Sequence, residues 1–392
     1  MTKKITKVKS LSKKEFNQQY LSDKKPVIIS SGLAWKAFSW TPDYFKKTIP
    51  NKMVALKAIT NSQPGLIEKV FFGTKMIKMT DAVDIIYHNK NSNIKYYLMQ
   101  RPIYKEFKEL LLDLGKPIWR DQDARYEEQN LWFGEAGNAT PLHHDMAHNF
   151  LVQIYGKKRI RLFSPEDTKY LYRQTSQAKY HLSQIHDIDT LNKKKYPLFK
   201  NAVAYEGILH PGETLFIPCG WWHDVRSIDH AISVNFWWKA KPLECFLPQI
   251  LPASAYEFYE DGKFHDIYDY FLDLSDFKND LEISKFFIQI ENYWLAVLFM
   301  ANFFVTYLKS IATLLSIPTT QKNHARDIKY INNLLQTRNK NLGVNKNDLS
   351  YWLKLIAKAK KENNNLFRKD DILEMLEKIN IFSNKAKNKL YK

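Results

Sequence analysis

Apolar and polar positions change their spacing twice along this chain, and the changes divide it into three stretches. In the first hundred residues helical and strand signals alternate. Ser12-Lys13-Lys14-Glu15 forms a capping-box pattern ahead of Phe16, Tyr20 and Leu21, which predicts a helix start. Pro26-Val27-Ile28-Ile29 reads as a short strand, and Thr41-Pro42-Asp43-Tyr44 supplies an N-cap with proline at the first helical position. Met53-Val54-Ala55-Leu56 and Lys95-Tyr96-Tyr97-Leu98-Met99 predict further strands. From about Asn130 to Lys239 short strands follow one another, separated by turns at Gly134, Gly137, Gly156, Pro211-Gly212 and Cys219-Gly220. A polar insert, Thr168 to Ala202, interrupts them and is opened by Ser164-Pro165-Glu166-Asp167, a capped helix start.

After Pro242 glycine becomes scarce and the spacing turns helical. Tyr293 to Ile317 is strongly apolar, yet Asn302 and Lys309 interrupt it, so a buried helix pair or a dimer interface is predicted rather than a membrane span. Asp370 to Ile379 repeats apolar residues at helical spacing. The predicted fold is therefore mainly β with helical additions. Residues 1–240 form one domain, an α/β part over 1–110 followed by a double-stranded β-helix (jelly-roll) core over about 111–240. Residues 241–392 form a helical region suited to homodimerisation or substrate binding.

Composition changes this picture little. The apolar fraction of 45%, with 14% aromatic, is ample for a core. Cys219 and Cys245 are far apart and lack CxxC spacing, which points away from disulfides and thiolate zinc and toward a reducing compartment. The charged N-terminus leads into no apolar run, so a cytoplasmic protein is expected. The net charge of +18 invites a polyanion such as nucleic acid or an anionic membrane surface, but 49 of the 59 basic residues are lysine. Lysine is the poorer choice for bidentate phosphate or base recognition.

The informative residues lie in Thr140-Pro141-Leu142-His143-His144-Asp145 and in Pro218-Cys219-Gly220-Trp221-Trp222-His223. In an extended segment alternate side chains share a face, so His143 and Asp145 point together and His144 points away. A third ligand must come from elsewhere, and His223 is well placed if the barrel closes. Two imidazoles and a carboxylate leave three metal positions open, the arrangement of non-haem Fe(II) oxygenases. On the strand Lys158 to Phe163, Lys158 shares the inward face with Ile160 and Leu162. A buried ammonium is costly, and a bound dicarboxylate would relieve that cost, with Thr140 adding a hydroxyl. On the last strand Ser233, Asn235 and Trp237 share a face, and Asn149 is placed to orient a ligand near the metal.

These segments resemble the JmjC-type, cupin-like oxygenases that use Fe(II) and 2-oxoglutarate, including their asparaginyl and tRNA wybutosine hydroxylase branches. The likeness is close over Tyr97 to Lys239. It implies iron on His143, Asp145 and His223, 2-oxoglutarate on Lys158 and Thr140 with contributions from Tyr97, Asn149 and Asn235, and O2 as the second cosubstrate. Trp237, His148 and Gln100 are expected on the substrate side. His144 stands where these relatives commonly carry tyrosine, which leaves the ligands intact, and it is expected at the surface or on the substrate side. The implied activity is hydroxylation of a C–H bond, first on a protein or peptide side chain and alternatively on a tRNA base. A non-enzymatic cupin-like module that binds metal or ligand is the contrasting reading, and lysine demethylation is a weaker variant of the enzymatic one.

Overall fold

The computed structural model describes residues 1–60, 71–91, 93–120, 126–174, 181–241, 277–314, 346–359 and 366–390. Two compact units emerge, Met1–Leu251 and Pro252–Lys392. Cys245 and the turn into helical spacing after Pro242 fall outside the described residues.

The first unit opens with β1 (Thr2–Lys4), β2 (Lys7–Val8) and β3 (Val27–Ile29). Next come β4 (Met53–Thr60), β5 (Phe71–Lys78) and β6 (Ile94–Pro102). The helix after Ser12 forms with its full capping box, and Thr41 caps the helix Pro42–Thr48 as its sequence predicts. Eight further strands follow: β7 (Tyr126–Gly134), β8 (Ala139–His144), β9 (Ala147–Tyr155), β10 (Lys158–Phe163), β11 (Ala204–Leu209), β12 (Thr214–Ile217), β13 (Trp222–Ser227) and β14 (Ala231–Lys239). They divide between two sheets. One has the order β1-β11-β10-β13-β8, the other β2-β3-β12-β9-β14-β7-β6-β4-β5. The last eight strands thus place four in each sheet, β11-β10-β13-β8 facing β12-β9-β14-β7, which is the double-stranded β-helix.

Strand alternation decides what faces the space between the sheets. On β14, Ile232, Val234, Phe236 and Trp238 join Phe150, Val152 and Phe216 in an outer cluster, packed under Phe16, Trp40, Phe45, Phe107 and Trp119 of the N-terminal part. Those N-terminal segments shield one face of the larger sheet. Between the sheets, Leu151, Ile160, Leu162, Leu215 and Ile217 fill one end. Outside the smaller sheet, Leu142, Phe163 and Trp222 pack against Leu171 and Ala202 of the insert. A sandwich covered on both outer faces explains why nearly every residue of β9 is buried.

In the second unit the helix Tyr293–Leu314 occupies the centre. Its apolar window, Tyr293–Thr313, has a mean hydropathy of 1.7 and is long enough to cross a membrane, yet 72% of it is buried by protein. Its neighbours are Asp280–Gln289, Lys346–Ala359 and Lys369–Leu390. Asn302 breaks the apolar run because its amide donates to Asp280 Oδ2 at 2.8 Å. A buried polar pair satisfied in this way fixes helix register.

One turn sets the register of the inward lysine. Gly156 has φ +66°, and a Cβ there would run into the carbonyl of His230. Gly156→Ala should therefore destabilise the protein by about 1–3 kcal/mol, measurable by urea denaturation.

Candidate active site

Residues from both sheets converge on a cavity of about 330 Å³. Strand β8 pairs with β13 so that His143 stands directly opposite His223 and His144 opposite Trp222. The two imidazole rings approach to 4.0 Å between centroids. Asp145 follows β8 at a turn whose carbonyl accepts from Gly220 N–H at 2.9 Å, tying it to the segment that leads into His223. Its carboxylate lies 3.8 Å from His143 Nε2 and 3.6 Å from His223 Nε2. One donor atom from each residue lies within 4.8 Å of the others, and no other such group occurs among the described residues.

The hydrogen bonds behind the rings prepare them for a metal. His143 Nδ1 lies 2.7 Å from the Pro141 carbonyl and His223 Nδ1 2.9 Å from the Trp221 carbonyl. A carbonyl only accepts, so each ring carries its proton on Nδ1 and turns the Nε2 lone pair to the centre. Burial, and secondly the neighbouring His223, lower the His143 pKa to about 4, which keeps that lone pair free at neutral pH. Asp145 Oδ2 is buried without a hydrogen-bond partner. Three such donors fit a divalent cation of the iron type with open positions beside it.

Lys158 lies on the wall of the same cavity. Its Nζ donates to Ser233 Oγ at 2.6 Å, and burial alone lowers its pKa to about 7. Tyr97 is fully buried and hydrogen-bonds Thr140, and burial raises its pKa. Tyr96, its neighbour, turns out toward the N-terminal cluster. Asn149 and Trp237 are cross-strand partners on the inner face of β9 and β14, and Asn235 lies beside them opposite Leu151. Asn149 Oδ1, Asn235 Nδ2 and the Trp237 indole N–H are buried without partners, aligned along one wall. Gln100 reaches the rim through a break in β6: the pairing with β7 shifts between Leu98 and Arg101, and Gln100 takes φ +51°. The shift lets consecutive residues Met99 and Gln100 both line the cavity, which a regular strand forbids.

His148 is a correction. It does not face the cavity but lies on the other face of β9, fully buried against Phe216 and Trp238, with Nδ1 accepting from Cys219 N–H at 3.0 Å. Alternation is the reason: with Asn149 turned inward, its neighbour must turn outward. His144 likewise is neither surface nor substrate-side, being packed edge-on against Trp222 beneath the insert.

Trp132, His181 and Leu182 line the cavity and were not singled out by sequence reasoning. The two insert residues arrive because 181–183 adds a short extended piece to the edge of β8. His144 N–H donates to the His181 carbonyl at 2.9 Å, and Ser183 N–H to the Leu142 carbonyl at 3.0 Å. An ion network fastens the rest of the insert outside the smaller sheet. Arg159 and Arg226 are directly opposite in register and would repel. Asp189 bridges them, lying 3.1 Å from Arg226 and also bound to Arg159, while Arg161 contacts Asp189 and Asp224 at 2.8 Å each.

With this geometry in place the comparisons with known proteins are specific. The Cupin-like domain family matches residues 13–244. This chain belongs to that family. It is similar to a lysine-specific demethylase 8 of Danio rerio, 34% identical over 249 residues, 61% of this chain and 59% of that protein. It resembles lysine-specific demethylase JMJ30 of Arabidopsis thaliana at 32% over 244 residues, 60% of this chain and 55% of that one. A tRNA wybutosine-synthesizing protein 5 of Mus musculus is 29% identical over 257 residues, 62% of this chain and 80% of its own length. The chain thus spans little more than half of the two demethylases and most of the third protein.

Two outcomes follow from the Cupin-like site. Mn(II) at about 100 times its Kd should stabilise the protein by about 2.7 kcal/mol, and Asp145→Ala should abolish the shift in a thermal melt. The lysine has a pH signature. Its folded pKa lies near 7 and its unfolded value at 10.5, so the unfolded chain binds more protons between them. The ligand-free protein should gain stability as pH rises from 7 toward 10.5, by a few kcal/mol more than Lys158→Met, in denaturant titrations across that range.

Proposed function

We propose that this chain is an Fe(II)- and 2-oxoglutarate-dependent oxygenase that hydroxylates a C–H bond of a protein side chain. The observation that carries the reading is a buried lysine sharing one cavity with a three-residue metal set. His143, Asp145 and His223 would hold the iron, which when bound supplies the power to oxidise a C–H bond with O2 while 2-oxoglutarate goes to succinate and CO2.

The remaining roles belong to the chain itself. Lys158 receives the distal carboxylate of 2-oxoglutarate, and the arriving anion keeps the ammonium protonated. Thr140, held by Tyr97, adds a hydroxyl to that carboxylate. Asn149 and Asn235 present amide groups to the end nearer the metal. Leu151, Ile217, Val225 and Trp132 keep the cavity largely apolar, which excludes bulk water from the reacting centre. Trp237, Gln100, His181 and Leu182 stand at the side left for the substrate.

A protein side chain is the first choice because two of the similar proteins bear names that specify lysine. A tRNA base is the second, favoured by the likeness to the wybutosine-synthesizing protein over most of its length and by the charge of +18. The helical unit is read as a dimerisation or substrate-binding element.

Incubation with iron, ascorbate and labelled 2-oxoglutarate should release succinate, stimulated by extracts containing the substrate. His143→Ala should lower the rate at least a hundred-fold, and Lys158→Met should raise the 2-oxoglutarate requirement at least ten-fold. An unchanged rate in His143→Ala overturns the reading, and a protein that binds metal without turnover favours the non-enzymatic module. Mass spectrometry of host proteins and tRNAs with and without the gene, searching for one added oxygen, separates the two substrates. Loss of a methyl group instead would show demethylation.

A further inference from the structure

One aromatic residue of the cavity lining neighbours three residues of the proposed dicarboxylate site, Ser233, Tyr97 and Asn235. Trp132, on β7, is paired directly with Ser233 of β14, the residue that accepts from Lys158. Its ring lies 5.9 Å from the ring of Tyr97, which in turn holds Thr140. Its indole N–H donates to Asn235 Oδ1 at 2.9 Å.

The last contact has a chemical consequence. An amide side chain offers an acceptor at one end and two donors at the other, and the two orientations are nearly equal in shape. Indole N–H is only a donor. By engaging Oδ1 it forces the Asn235 NH2 group to the other side, where Nδ2 is buried and without a partner. Across the pair, Asn130 stands opposite Asn235 with neither end of its own amide partnered, so nothing from that side sets the orientation. We infer that Trp132 is a positioning residue, whose indole N–H fixes the Asn235 amide so that its NH2 donors face the ligand. This rests on the proposed 2-oxoglutarate reading, in which an NH2 turned inward meets an oxygen and a flipped amide would present a lone pair to an anion.

The test uses Trp132→Phe, which keeps a ring and removes the N–H, with Asn235→Ala and the double variant. Titration of the Mn(II)-loaded full chain with 2-oxoglutarate, followed by melting temperature, should show affinity about five-fold weaker in Trp132→Phe. The double variant should bind as Asn235→Ala alone does, because the tryptophan acts through the asparagine. Equal affinity in Trp132→Phe, or losses that add in the double variant, overturn the inference. A second measurement needs no ligand. In the 1H–15N spectrum, the indole resonance that Trp132→Phe removes should exchange slowly and should move in Asn235→Ala. A resonance that ignores Asn235→Ala overturns the inference whatever 2-oxoglutarate does. A wild type indifferent to 2-oxoglutarate, with that resonance behaving as expected, overturns the cosubstrate reading and retains the hydrogen bond.

Discussion

The register between β8 and β13 is the constraint on which the site depends. It sets His143 against His223, and a slip of one residue would turn His144 inward and His143 out. The outer face resists that slip. Trp222 packs there with Leu142 and Phe163, and its indole N–H donates to Thr168 Oγ1 at 2.9 Å. His144 lies edge-on to the same ring. The packing that keeps His144 outside thus keeps the two candidate ligands face to face, so the insert bears on the metal site although most of it lies outside the barrel.

The neighbouring strand of the same sheet, β10, carries a charge that folding alone would reject. Lys158 has a hydroxyl for a partner and is almost completely buried. Desolvation therefore favours its neutral form, which stands near balance at physiological pH. An anion beside it would restore the charged state that burial removes.

Much of this was legible in the sequence, and the residues that were not share a cause. Alternation separated His143 from His144 and grouped Ser233 with Asn235 and Trp237, while Tyr97 came from the family resemblance. The reading went astray at His148 because it placed two consecutive residues of one strand, His148 and Asn149, at the same site, which alternation forbids. Asn149 continues the inward parity of His143 and Asp145, and His148 shares the outward parity of His144. Gln100, expected on the substrate side, does line the cavity, though by a shifted pairing and a left-handed backbone that no periodicity announces. His181 belongs to a polar insert with no regular spacing, and its position depends on backbone bonds to β8 that form only in the folded chain.

The division between legible and hidden residues matches a division of labour. Proposed contacts to metal and cosubstrate sit on or beside paired strands, where each neighbour fixes the next and half an ångström matters. The substrate side is made from an insert and a strand irregularity, elements that can change without disturbing the pairing beneath them. One Cupin-like frame resembles proteins named for lysine and for tRNA at once. At the rim stand His181, Leu182 and Gln100, which the proposed function leaves for the substrate.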